Sequence, residues 1–389
     1  MGEWKEYKLG DLGTIITGKT PSAKNPEDWG NEMLFVTPTD YCNYRKYSDD
    51  SIRKLSNIGI KRLKNKILPP SSILVTCIGS DMGKVVMTKS YCITNQQINS
   101  IIPNNLVNPD FLYYTLISSY DTLRILGGDG TAVPIINKND FSNISINIPS
   151  LSEQKRIAFI LGSLDDKIDL LHHENETLEA MAETLFRKWF IEDAKDEWEE
   201  GTLDDILSIK GGTTPSTKEP KYWNGKIAWT SPRDVTSLNG IYLFDTDRKI
   251  TEDGLKQISS GLLPAGTLLM SSRAPVGALA YAEIPLAINQ GYIAIIDNKG
   301  YSKEFIYLWL KLNMDLVRSY SNGSTFMEIS KSAFKALNIQ IPPQKNVEDF
   351  SKIIKPLFNK IKLNEQQIIN LGRIKNKILP KLMSNELKI

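Results

Sequence analysis

The nearest approach to catalytic machinery in this chain is the octet Gly13-Thr14-Ile15-Ile16-Thr17-Gly18-Lys19-Thr20, which has the spacing of a phosphate-binding loop. Such a loop works only where a helix begins at the Lys-Thr pair and aims its first amides at the phosphates. Pro21 and then Asn25-Pro26 interrupt helix there, so the context of a phosphate-binding loop fails. The matching segment of the second half, Leu207 to Thr214, has leucine for Gly13 and threonine for Lys19. P-loop nucleotide binding stays only as a minor alternative. The two histidines, His172 and His173, are adjacent in a helical pattern, cannot converge on one metal, and are expected to face solvent beside the apolar stripe described below. Cys42, Cys77 and Cys92 all lie in the first half without counterparts in the second, which suits small core fillers better than disulfides or a zinc site. There is no Gly-x-Ser-x-Gly elbow, no glycine-rich dinucleotide turn and no Asn-Pro-Pro-aromatic methyltransferase motif. Catalytic, metal and cofactor sites are therefore not expected here.

Recognition remains, and it is argued from a repeat. Trp4 pairs with Trp198 at an interval of 194 residues. At or within one residue of that interval, Gly18-Lys19-Thr20-Pro21-Ser22 answers to Gly212-Thr213-Thr214-Pro215-Ser216, and Trp29 to Trp223. Thr37-Pro38-Thr39-Asp40 likewise answers to Ser231-Pro232-Arg233-Asp234, Leu68-Pro69 to Leu263-Pro264, and Asn95-Gln96 to Asn289-Gln290. A period this long is a whole domain with its connector, duplicated. Within the kept frame, neighbours of different bonding capacity are exchanged: Lys19 for Thr213, Thr39 for Arg233, Gln97 for Gly291. Arginine forks a guanine edge, asparagine and glutamine pair with adenine, and threonine offers a hydroxyl or a methyl, so the exchanges suit two domains that read different bases. Asn95-Gln96 equally suits amides that tie strands together, and Trp29 and Trp223 suit core positions better than stacking platforms.

The elements that would position such groups are two domains and two connectors. Strand patterns run over Met33 to Val36, Ile73 to Ile78, Lys84 to Thr88 and Gln97 to Ile102, with helical pattern from Pro109 to Leu126. Matching runs are Ile227 to Thr230, Thr267 to Ser271, Ala278 to Tyr281, Tyr292 to Ile296 and Lys303 to Val317. After Pro149, Ser150 and Glu153 have capping-box spacing. From there a stripe of Ile157, Leu161, Leu164, Ile168, Leu171, Leu178 and Leu185 recurs at alternating steps, with Asn175 its polar member. The second stripe is Phe350, Ile354, Leu357, Ile361, Ile368, Leu371 and Ile378, with Asn364 and Lys375 polar. A helix of about 40 residues is about 60 Å long. Its narrow stripe is best covered by the other copy, antiparallel around a pseudo-two-fold axis, rather than by its own domain. Pro356 is expected to kink or delay the second helix, and Gly372 to weaken it. The fold class is thus α+β: two similar mixed α/β domains over residues 1–150 and 193–343, separated by antiparallel coiled-coil helices over 151–192 and 344–389.

Composition sets the outer limits. With 41% hydrophobic and 24% charged residues both halves can bury a core, and neither an export leader nor a membrane-spanning run is apparent, so a cytoplasmic protein without membrane contact is expected. A net charge of +2 is modest for a nucleic-acid binder, although lysine and arginine are dense from Arg53 to Lys66.

The tandem Gly-x-Thr-Pro-Ser turns, the Glu153-Gln154-x-x-Ile157 entry, the Leu185-Phe186-Arg187-Lys188-Trp189-Phe190 exit and the C-terminal Leu379-Pro380-Lys381-Leu382-Met383-Ser384 together resemble the specificity subunits of type I restriction-modification systems, over essentially the full length. The second entry departs from the pattern, reading Pro342-Pro343-Gln344-Lys345. The resemblance implies two target-recognition domains that each read half of a split, asymmetric double-stranded DNA sequence, with paired helices as the ruler for the spacer. It also implies assembly with two modification subunits carrying S-adenosylmethionine, and with optional restriction subunits using ATP and magnesium, while this chain is not itself catalytic. On this reading the candidate DNA contacts are Lys19, Thr20, Ser22, Thr39, Lys84 and Gln97 in the first domain, and Thr213, Thr214, Ser216, Arg233 and Arg273 in the second. The competing class is a two-headed coiled-coil scaffold that binds proteins rather than DNA.

Overall fold

Runs such as Ile73-Leu74-Val75-Thr76 and Leu268-Leu269-Met270-Ser271 form strands buried at every residue, as strands covered on both faces must be. They lie at the centre of the two units of a computed structural model. One unit comprises Met1–Leu170 with Ile369–Ile389, the other Leu171–Ile368. The structure describes residues 4–41, 45–128, 134–195, 198–322 and 327–387, and Cys42 lies outside them.

Each unit carries a five-stranded sheet in the same strand order. In the first it runs Gly13–Thr17, Ile98–Pro103, Ile73–Thr76, Val85–Thr88, Tyr47–Ser48; in the second, Ser208–Lys210, Tyr292–Asp297, Leu268–Ser271, Leu279–Ala282, Tyr242–Leu243. Neighbours are antiparallel except the last pair, which is parallel in both. A smaller sheet joins Met33–Val36 to Arg53–Leu55 and to Cys92–Thr94 in the first unit. Its counterpart joins Trp223–Thr230 to Arg248–Ile250 and Leu286–Ile288. The helices Pro109–Ser118 and Lys303–Leu312 start at matched caps, where the Asn108 side chain accepts from the Phe111 amide and the Ser302 hydroxyl from the Phe305 amide. The octet lacks the phosphate-loop geometry: Gly13–Thr17 is an edge strand paired with Ile98–Pro103, Gly18 to Thr20 is irregular, and no helix starts at Lys19-Thr20.

The connectors are the long helices Leu151–Arg187, extended by a π-helical turn at Lys188–Glu192, and Gln344–Met383. The Glu153 amide donates to the Ser150 hydroxyl at 3.4 Å, the first half of the expected cap. Within each unit the helices pack antiparallel. In the first unit Lys375 pairs with Asp165 at 2.6 Å, while Ile157 and Leu161 share a core with Leu379 and Leu382. In the second, Asn364 Nδ2 donates to Asn175 Oδ1 at 2.9 Å, and Phe186 meets Phe350. Every polar member of the two stripes therefore has a partner on the facing helix, and all the apolar stripe residues are buried or half-buried.

Three expectations change. The helices do not touch only each other: Ala182, Phe186, Phe350, Ile354, Phe358 and Ile361 belong to one core with Tyr242, Phe305 and Tyr307 of the domain. Each helix thus buries a face broader than its a/d stripe, and His172, flanking Leu171, is buried rather than solvent-facing, while His173 is exposed beside Glu176. Finally, the second helix runs unbroken through Pro356 from Gln344. Pro356 is exposed, and burial of Phe350, Ile354, Phe358 and Ile361 holds the turns on either side of its lost hydrogen bond.

Candidate nucleic-acid interface

In each domain one end of the sheets is assembled from a turn, a short helical cap and a strand-entry loop, locked by hydrogen bonds that the repeat copies. The Thr20 hydroxyl donates to Gln96 Oε1 at 2.7 Å, and the Thr214 hydroxyl to Gln290 Oε1 at 2.6 Å. Asp40 Oδ2 accepts from the Thr37 amide and hydroxyl, and its Oδ1 from the Ile52 amide. Asp234 does the same with Ser231 and with the Asp247 amide. Asn95 Oδ1 accepts from the Gln97 amide and Asn289 Oδ1 from the Gly291 amide, each fixing the loop that leads into a central strand. A Cβ added to Gly18 would lie 2.1 Å from the Asn95 carbonyl, and one on Gly212 would lie 1.8 Å from the Ile288 carbonyl. Those glycines let the turn lie directly on the strand ends.

The candidate contact residues divide on this frame. Thr20 and Thr214 belong to it, since their hydroxyl protons are engaged. Thr213 does too, its hydroxyl donating to the Gln257 carbonyl at 2.7 Å and accepting from the Ser259 amide. Lys19, Ser22, Thr39, Ser216 and Arg233 are exposed around it. Lys84 is elsewhere: it pairs with Asp81 at 2.8 Å and lines a cavity of about 260 Å³ with Arg45, Tyr113 and Lys375, on the long-helix side.

Gln97 and Arg273 prove to be a reciprocal pair. Gly79 is the repeat partner of Arg273, and Gly291 that of Gln97. In the first domain the Gln97 amide nitrogen lies 3.7 Å from where a Gly79 Cβ would be; in the second the Arg273 Nε lies 3.3 Å from where a Gly291 Cβ would be. One domain thus fills the position with glutamine from one loop, and the other fills it with arginine from the opposite loop.

Sequence reasoning missed a second duplicated feature. The Arg53 guanidinium carbon sits 3.3 Å from the centroid of the Trp29 ring, and that of Arg248 sits 3.5 Å from Trp223. Edge-on aromatics back both indoles, Phe35 at 5.0 Å and Trp229 at 5.1 Å. Trp223 Nε1 also donates to the Ser216 carbonyl at 3.0 Å, tying the stack to the Gly-x-Thr-Pro-Ser turn. The detectable signal was the pair Arg53 and Arg248, one residue off the register of their tryptophans. The rest of the basic run is largely engaged: Lys54 pairs with Asp50, Arg62 with Glu27 and Asp28, and Lys66 donates to the Thr17 carbonyl. Burial pushes the Cys77 thiol up to about 11 and Cys92 up to about 12, so both stay protonated and act as apolar fillers. No helix of the described residues is long and apolar enough to cross a membrane.

Comparison with known proteins follows the repeat. The family model described as type I restriction modification DNA specificity domain matches twice, over residues 1–180 and 195–373. Among curated relatives, the type I restriction enzyme MjaIX specificity subunit of Methanocaldococcus jannaschii is 29% identical, covering 100% of this chain and 94% of its own. The HindI specificity subunit of Haemophilus influenzae is 23% identical over the whole of both chains. Among solved structures, the S subunit of a type I restriction-modification system from M. genitalium matches with a TM-score of 0.58 and 20% identity, covering 97% of this chain and 96% of that one, a likeness of fold.

Proposed function

This chain belongs to the family of type I restriction-modification DNA specificity subunits, which recognise DNA without catalysing its modification, and on that footing we propose that each domain reads one half of a split, asymmetric target. The reciprocal pair carries the reading: one frame, with the same Thr–Gln, Asp-cap and Asn-loop hydrogen bonds in both copies, presents glutamine in one domain and arginine in the other at one shared position. Glutamine suits an adenine edge and arginine a guanine edge, with Asn95 Nδ2 donating to Gln97 Oε1 at 2.8 Å and Glu328 lying 3.8 Å from Arg273 to orient the two side chains. Lys19, Ser22, Thr39, Ser216 and Arg233, exposed around that position, supply further base and phosphate contacts.

The paired long helices fix the separation of the half-sites, and their outer faces hold two modification subunits. In support, each helix exposes apolar residues about three turns apart: Phe159, Leu170 and Met181 on the first, Ile353, Leu363 and Ile374 on the second. S-adenosylmethionine acts on those partner subunits, and ATP with magnesium on any restriction subunits that join them. The assembly works in the cytoplasm, where its DNA is.

The test is the pattern of methylated adenines in cells with and without this gene. A two-part motif with a fixed gap, present only with the gene, is the expected result. Arg273→Gln should then relax or change one position in one half-site, at a cost of about 1–3 kcal/mol in binding, and leave the other half and the gap intact. Loss of no motif on deletion would leave a two-headed scaffold as the better account.

A further inference from the structure

We propose that Arg53 and Arg248 are sequence-independent phosphate contacts, one in each domain, preorganised by stacking on Trp29 and Trp223. The inference rests on the DNA-reading function above and adds to it a division of labour.

Both guanidiniums are exposed, lie flat against an indole, and have no ion-pair partner among the described residues. Their sequence neighbours do. Lys54 is paired to Asp50, and Lys249 to Asp245, each four residues earlier on the chain. Each Arg-Lys pair thus has its lysine neutralised and its arginine left charged, in both copies. An arginine held by its flat face loses little side-chain freedom on binding and turns its edge, with five N–H donors in a planar fork, toward solvent, the geometry that grips two oxygens of one phosphate. Lys61 and Lys64, exposed on the same basic run, have no such support.

The duplication decides which part of DNA is gripped. Positions that differ between the domains, such as Gln97 and Arg273, suit bases that differ between half-sites. The Arg-on-Trp stack is the same in both, down to the edge-on aromatic behind the indole. Domains that read different bases share only the sugar-phosphate backbone. A common arginine therefore answers to the common part.

Arg53→Met and Arg248→Met keep an unbranched stem over the indole and remove the charge, while Arg→Lys keeps the charge without the fork. The full chain, assembled with its modification subunit, is titrated across salt with a duplex carrying the mapped motif and with a shuffled duplex of equal length. Each methionine variant should weaken both duplexes by the same factor, roughly tenfold, and flatten the salt slope by about 0.9, with an unchanged melting temperature and methylation motif. The lysine variants should keep the slope, which settles the matter even if a methionine variant folds poorly; a lysine variant with the flattened slope would refute a charge contact. Loss confined to the motif duplex, or a relaxed base in the motif, would make these base readers instead. Wild-type affinity and slope in the methionine variants would reduce the stack to a cover for the tryptophan. Failure of the wild-type assembly to bind either duplex is a separate result, and it removes the DNA-reading function together with this inference.

Discussion

Glu365 is a carboxylate on the second long helix that is nearly buried and accepts the amides of Ile241 and Tyr242 at 2.8 and 3.0 Å. Burial outweighs those donors and pushes its pKa up from 4.5 to about 7. The unfolded chain sheds this proton near the ordinary carboxylate range while the folded chain keeps it to about neutrality, so stability falls as pH rises through that window and is flat above it. The difference is about 3 kcal/mol between about pH 4 and pH 8. Glu365→Gln, which still offers an acceptor oxygen, should lose that share of the pH dependence in denaturant unfolding; equal pH slopes in variant and wild type would contradict the assignment. At this scale the frame was legible and the readers only partly so. Gly18, Asp40, Asn95 and their partners stood out because a repeated hydrogen bond keeps both residue types. Thr20 looked like a reader because a threonine hydroxyl carries no mark of being engaged by Gln96, 76 residues away in sequence. Arg53 was hidden because nothing local says that its guanidinium lies on Trp29.

The long helices show what a periodic pattern does and does not determine. The stripes and their polar members were readable, and Asn175 meets Asn364 as a register device would. Asn364→Leu alone strands a buried amide and should cost about 1–3 kcal/mol, whereas Asn175→Leu with Asn364→Leu should recover the loss. Thermal unfolding of both variants is the check, and a double variant no better than the single would show that the amides do not act as a pair. A methyl group added at Gly372 would meet nothing within 4 Å, so Gly372→Ala should stabilise by about 1 kcal/mol in the same measurement. Continuity through Pro356 was not legible, because it depends on aromatic residues of the domain, such as Tyr307 against Phe358, that add to the helix face beyond its stripe. The strands were easier. Ile73–Thr76 and Leu268–Ser271 are apolar throughout but for their last residue, whereas Gly13–Thr17, with glycine and threonine at its ends, was concealed by its likeness to a phosphate loop.

For the molecule as a whole, the 194-residue repeat predicts two domains of one topology, and the strand orders agree down to the parallel edge pair. Antiparallel pairing is legible in the two stripes; that each long helix also adds side chains to the domain core of both compact units is not. On the proposed function, spacing is a property of helix length and base choice a property of the domains. The direct measurement is the methylated-adenine motif of cells carrying this chain with four residues, about one helical turn, inserted in the first long helix. Both half-sites should stay unchanged while the gap between them alters; changed half-sites with the original gap would contradict a spacing set by the helices.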